Sequence, residues 1–173
     1  MINKKIKIGV LGGSFDPAHN GHLAISKEAK RRFDLKKIIW AITKKNPLKE
    51  ESKTTIIKRT QNCKKIISSN SFIKVKFYED IIKSNKTIDL INYLKKKNNI
   101  EIYFLMGADN LISFHKWHKS KLISQKCNII VFDRHGYKKN SLKSKTFKTL
   151  NNRALTFVEF KKVNISSSQL RKI

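Results

Sequence analysis

Acidic residues are scarce in this chain of 173 residues: Asp and Glu number 12 against 39 Lys and Arg, for a formal net charge of +27. Such an excess attracts anions and speeds encounter with nucleotides or nucleic acid. The lysines, however, are scattered over candidate helices and loops in a chain rich throughout in Lys, Ile and Asn, the pattern of an A/T-rich coding sequence. Most of the charge is therefore read as compositional, and no specific nucleic-acid partner is expected. Cysteine is nearly absent. Cys63 and Cys127 lie far apart and form no CxxC pair, which removes zinc-ribbon and redox-motif readings and leaves two buried or inert thiols. No apolar run approaches membrane-spanning length, so no membrane partner is expected. The basic pair Lys4-Lys5 precedes an apolar stretch too short for a signal peptide, which makes the cytoplasm the expected location. Glycines number only six, and neither a Walker A loop nor a GxGxxG fingerprint is among them. With no internal repeat, no dividing linker and 39% hydrophobic residues, residues 1–173 read as one domain with a core of ordinary size.

Apolar runs alternate with helical patterns along the chain. Strands are expected at 37–42, 72–78, 100–106, 128–133 and 154–160, after a first short one carrying Ile6, Ile8, Val10 and Leu11. Between them Ile56, Thr60, Cys63 and Ile67 make one helical stripe, and Ile88, Ile91 and Leu94 another. Repeated βα units imply an α/β fold, a Rossmann-like doubly wound and mostly parallel sheet with helices on both faces. Ligands of such sheets bind outside the carboxyl ends of the strands. The basic, polar stretch 138–152 shows little periodicity and reads as an exposed loop or a frayed helix.

Two of the six glycines are adjacent and sit where the first strand ends. The string Gly12-Gly13-Ser14-Phe15-Asp16-Pro17-Ala18-His19-Asn20-Gly21-His22 runs from that strand into an amphipathic helix, with Asn20 before Leu23, Ala24 and Ala29 reading as a capped start. Glycines there let backbone N–H groups approach an anion closely, and the positive end of the helix dipole favours it. His19 and His22, three apart, face one ligand from the first helical turn, as donors aimed at phosphate oxygens.

The string resembles the GTFDPxHxGH signature of the nucleotidyltransferase superfamily that joins ATP to a phosphate-bearing acceptor, with Ser14 in place of the usual Thr. A second block, Gly107-Ala108-Asp109-Asn110 followed by Phe114-His115-Lys116-Trp117, is similar to the GADN…FHxW block of bacterial nicotinate-nucleotide adenylyltransferases. Asp109 at a strand end can accept from ribose hydroxyls, and Trp117 offers a stacking face for a pyridinium ring. Three weaker blocks agree with that family. Asn46-Pro47-Leu48-Lys49 looks like the loop with its substrate-site lysine, Thr87-Ile88-Asp89 like the turn that holds the nicotinate end (with Lys86 where Tyr is usual), and Arg134 like its basic residue after the fifth strand. The tail Ile165-Ser166-Ser167-Ser168-Gln169-Leu170-Arg171 resembles the superfamily's second ATP motif, ISSTxxR.

The resemblance implies transfer of the adenylyl group of ATP to nicotinate mononucleotide, with Mg2+ accompanying ATP and no resident metal. It assigns His19, His22 and Arg171 to the reaction. Gly12, Gly13, Ser14, Phe15, Gly107, Asp109, Ser167 and Ser168 fall to ATP, and Lys49, Thr87, Trp117 and Arg134 to the acceptor. The role of Asp16 is open between capping the loop and touching hydrated metal. Three alternatives stand beside this reading: a relative acting on nicotinamide mononucleotide or phosphopantetheine, a metallohydrolase using the HxxH pairs His19/His22 and His115/His118, and a nucleic-acid-binding module resting on charge alone.

Overall fold

The computed structural model describes residues 4–46, 51–97, 99–150, 154–160 and 170. Six strands, β1 (Ile6–Gly13), β2 (Lys37–Ile42), β3 (Ile73–Phe77), β4 (Ile100–Gly107), β5 (Asn128–Phe132) and β6 (Leu155–Val158), form one sheet in the order β3-β2-β1-β4-β5-β6. Every pairing is parallel, with Val10 opposite both Ile39 and Phe104 at the centre. The order reverses between β1 and β4, so the crevice between their carboxyl ends is the place where a doubly wound sheet takes its ligand.

A parallel sheet covered on both faces needs apolar residues at successive positions rather than alternate ones, because each neighbour points the other way. That is what the runs supply. Ile8, Val10, Ile39, Ala41, Ile102, Phe104, Met106, Ile129 and Val131 face one core, while Leu11, Ile38, Trp40, Ile42, Leu105, Ile130 and Phe132 face the other. After the short α3 (Glu79–Ile82), α4 (Thr87–Lys95), α5 (Ala108–Ser113) and α6 (Ser120–Lys126) close the first core through Ile88, Ile91, Leu94, Leu111 and Ile123. The second is closed by α1 (Asn20–Phe33) and α2 (Ile56–Ile67) through Ala29 and Cys63. The stripes expected on α2 and α4 are thus their inner faces. Both cysteines are buried free thiols, and burial pushes each up to about 12. Arg59 is the only lysine or arginine buried among the described residues.

Of the two forms expected over 138–152, exposed loop or frayed helix, the described part to 150 takes the helical one, and it is packed rather than exposed. Two short helices, α7 (Lys138–Lys143) and α8 (Lys145–Leu150), stand there and pack on α5. Their fully buried positions are Ser141, Ser144 and Thr146, with only Phe147 and Leu150 packing apolar side chains on the core, so the hydrophobic period is weak. Local hydrogen bonds satisfy the two serines: Ser141 donates to the Lys138 carbonyl at 2.8 Å, Ser144 donates to the Ser141 carbonyl at 2.6 Å, and the Phe147 amide donates to Ser144 Oγ at 3.1 Å, capping α8. Thr146 Oγ1 accepts from the distant His115 amide at 3.2 Å.

Candidate active site

The glycine loop between β1 and α1 is held by aromatic packing. Phe15 adopts a left-handed φ of 49° and is 1% exposed, its ring stacked on Trp40 with centroids 5.1 Å apart. A bulky residue in that region costs of the order of 1–3 kcal/mol and persists because its surroundings over-determine it. Here the ring lies 4.8 Å from that of His22 and supports that histidine from within the core. Trp40 in turn donates to Ser26 Oγ at 2.8 Å, and Ser26 donates to the His22 carbonyl at 2.8 Å, fixing the first turns of α1.

His19, rather than Asn20, is the N-cap of α1. Its Nδ1 accepts from the Gly21 amide at 3.1 Å, and His22 Nδ1 accepts from the His19 amide at 3.2 Å, a capping box made of two imidazoles. An Nδ1 that accepts carries no proton, so each neutral ring bears its hydrogen on Nε2. The cap sets the tautomer that makes both rings donors, and their centroids are 3.9 Å apart. Burial, and then the positive charge of Arg134, push His19 down to about 4.

Asp16 is 4% exposed and serves the loop. Its Oδ2 accepts from the Lys53 amide at 2.7 Å and its Oδ1 from the Thr54 hydroxyl. Burial alone would raise this carboxyl; the bonds from Thr54 and Lys53, with Arg59 nearby, outweigh it and hold the pKa below the ordinary value. Asp16 therefore ties its own loop to the stretch before α2. Among the described residues no group of three or more His, Cys, Asp or Glu is arranged to hold a metal ion, the HxxH pairs included.

Beside the loop lies a cavity of about 150 Å³. Gly12 and Gly13 form one side of it, Phe104, Tyr78 and Leu90 its apolar walls, and Trp117 and Thr87 two further positions. Trp117 is set by a 5.3 Å contact with Phe114 and an edge contact with Phe104 at 6.0 Å. Thr87 is the first residue of α4, where the dipole favours an anion. The turn before it is tied down by Ser84, which donates to Asp89 at 2.6 Å and accepts from the Lys86 amide at 3.1 Å. Asn46 also lines the cavity. Lys49, Ser167, Ser168 and Arg171 lie outside the described residues.

Comparison with known proteins gives the same answer as the motifs. A family profile described as cytidylyltransferase-like matches residues 10–173. The chain is 66% identical over 170 residues to a probable nicotinate-nucleotide adenylyltransferase of Pelagibacter ubique, covering 98% of this chain and 94% of that one. The chain belongs to the nicotinate-nucleotide adenylyltransferase family. A probable nicotinate-nucleotide adenylyltransferase of Brucella suis is 30% identical over 184 residues, covering 96% of this chain and 94% of its own length. In fold, the chain is similar to the solved Plasmodium falciparum nicotinic acid mononucleotide adenylyltransferase complexed with NaAD, with a TM-score of 0.78 at 24% identity, over 96% of this chain and 82% of that one.

Within this family member, the described residues expected on the acceptor side fall into two groups. Thr87 and Trp117 share the cavity, whereas Arg134 does not line it and is paired through Nη1 with Asp109 Oδ2 at 2.8 Å, close enough to His19 to affect its charge. Asp109 in turn explains Gly107, because a Cβ there would lie 2.5 Å from Asp109 Oδ1. Gly107→Ala is expected to fold, since the end of one side chain can move aside, but to turn Asp109 away from Arg134 and raise the KM for ATP about tenfold, the equivalent of roughly 1.4 kcal/mol. Steady-state kinetics with varied ATP check this, and an unchanged KM would remove Asp109 from the nucleotide site. A separate expectation concerns His19. In the ligand-free protein its ring should titrate near 4 rather than at the ordinary 6.5, followed by NMR of the imidazole carbons. Between those values the unfolded chain holds a proton that the folded chain does not, so this group's contribution to stability is full above pH 6.5 and is lost as pH falls toward 4. A midpoint near 6.5 would contradict it.

Neither the cavity wall at Tyr78 and Phe104 nor the buried Arg59 is among the residues expected from the sequence. The signal for Arg59 was present, since it lies four residues before Cys63 on the inner face of α2.

Proposed function

We propose that this chain transfers the adenylyl group of ATP to nicotinate mononucleotide, giving nicotinate adenine dinucleotide and pyrophosphate, in the synthesis of NAD. The observation that carries the reading is the contact of two sites: a loop with two Nε2–H imidazole donors, and an aromatic cavity, walled by that loop's glycines, with a helix N-terminus opening on it. The acceptor's 5′-phosphate oxygen forms a bond to the α-phosphorus of ATP while the bond from that phosphorus to the bridging oxygen breaks, and the electron pair leaves with pyrophosphate. A phosphate monoester has a second pKa of about 6 and is largely ionised at neutral pH, so no general base is needed. The chain's task is alignment and stabilisation of charge.

His19 and His22 donate to oxygens of the transferring and leaving phosphates. Asp109 accepts from a ribose hydroxyl of the nucleotide, and Trp117 stacks on the pyridine ring, whose carboxylate meets the N-terminus of α4 at Thr87. Magnesium arrives as the counter-ion of ATP and is part of that substrate; the bonds that engage both Asp16 oxygens make it a poor ligand for the ion. Lys49 for the acceptor phosphate, and Ser167, Ser168 and Arg171 for the triphosphate, complete the proposed set. Pyrophosphate release from MgATP, with nicotinate mononucleotide, nicotinamide mononucleotide or phosphopantetheine as acceptor, tests the assignment. Release with phosphopantetheine alone would overturn it.

A further inference from the structure

Arg59 is 3% exposed, and its guanidinium makes four hydrogen bonds to backbone carbonyls. Its Nε donates to the Thr54 carbonyl at 3.1 Å; Nη1 donates to those of Ser14 at 2.7 Å and Thr43 at 2.8 Å; Nη2 reaches that of Lys44 at 3.4 Å. Those carbonyls belong to three separate segments: the phosphate loop after β1, the loop after β2, and the stretch before α2. We propose that Arg59 is a positioning residue of the transfer reaction, whose guanidinium locks the phosphate loop to the loop after β2 and so holds the nucleotide in line with the acceptor.

Geometry and charge both support this. A guanidinium is a rigid planar fork of donors that no other side chain reproduces, and a lysine ammonium in its place cannot span all these carbonyls. Burying a cation is costly unless something compensates, and here the compensation is Asp16, the one fully buried acid among the described residues. Asp16 closes the same ring of bonds, since Thr54 gives its hydroxyl to Asp16 and its carbonyl to Arg59. The loop after β2 is gripped from its other side as well, because the Lys44 amide donates to both oxygens of Glu79 at 3.2 Å. Further along that loop lies Asn46, in the cavity wall. The two halves of the site are therefore joined through Arg59, which has no place in the cavity lining itself.

The kinetic part rests on the proposed adenylyl transfer; the structural part does not. Arg59→Lys keeps the charge and loses the fork. Measured well below its unfolding midpoint, it is expected to lose about 100-fold in kcat, the size of an alignment error of about 1 Å, with the KM of both substrates within about threefold of wild type. Amide hydrogen exchange in the ligand-free protein should accelerate together in 14–16, 43–46 and 51–55 while β1, β4 and α4 keep their protection. A kcat within about threefold of wild type with a lowered Tm would make Arg59 merely structural and overturn the proposal. So would faster exchange confined to 51–55. Should Arg59→Lys fail to fold, Thr54→Val removes only the hydroxyl that links Asp16 to the ring: about a tenfold loss of kcat with an unchanged circular dichroism spectrum is expected, and wild-type kcat overturns the proposal. A wild-type protein that transfers adenylyl to none of the acceptors would sink the functional reading, and the exchange pattern would still decide the role of Arg59.

Discussion

Replacing either His19 or His22 with alanine is expected to lower kcat by roughly 100- to 1000-fold, the loss typical of a preorganised donor to a developing charge. The capping box adds a second effect that has to be separated from the first. His19→Ala also deletes the acceptor for the Gly21 amide, and loss of an N-cap costs about 1 kcal/mol of stability. His19→Asn keeps a good cap and discards the imidazole. It is therefore expected to match wild type in thermal unfolding and to match His19→Ala in kcat. Recovery of near-wild-type turnover in His19→Asn would mean that the ring acts only as a cap, and that the donor must be sought elsewhere.

Trp117→Ala should weaken use of nicotinate mononucleotide by about ten- to a hundredfold in KM while the KM for ATP changes little, because a base-sized ring stacked on an aromatic side chain is worth roughly 1–3 kcal/mol. Wild type should also prefer the acid over the amide by at least about tenfold in kcat/KM. A carboxylate at the N-terminus of α4 presents acceptors to N–H donors, whereas the NH2 of nicotinamide presents donors to donors, at about 1–3 kcal/mol for each group left unsatisfied. Equal efficiency on both mononucleotides, or an unchanged acceptor KM in Trp117→Ala, would show that the pyridine ring binds away from this cavity.

Strands and inner helix faces were legible because a sheet buried on both sides writes itself as continuous apolar runs. The expected bounds of β2 match the structure, and the Ile88, Ile91 and Leu94 stripe faces the core it predicted. The junction of β1 with α1 was legible from its glycines and histidines. What stayed hidden has common physical causes. The helices α7 and α8 fully bury only hydroxyl-bearing residues and pack just Phe147 and Leu150 on the core, so their inner faces carry little apolar period. The capping role of His19 depends on which ring nitrogen meets which amide, a matter of geometry within one turn. The Arg59 ring and the cavity each join segments far apart in the chain, Ser14 with Thr43 and Thr54, or Gly12 with Thr87 and Trp117. No local pattern records such meetings.

With Arg59 as the single buried cation among the described residues, the great majority of the described positive charge lies at the surface, at a net +27 for the chain. Like charges at that density repel one another over the distances that dissolved ions screen, about 8 Å at physiological ionic strength. Added potassium chloride should therefore raise the unfolding midpoint, because the compact state concentrates the repulsion more than the expanded chain does. The same ions slow the electrostatically steered arrival of a polyphosphate. Durability and capture rate thus respond to salinity in opposite directions, and a midpoint that falls as salt is added would show that attractive pairs such as Glu28 with Arg31 outweigh the repulsion.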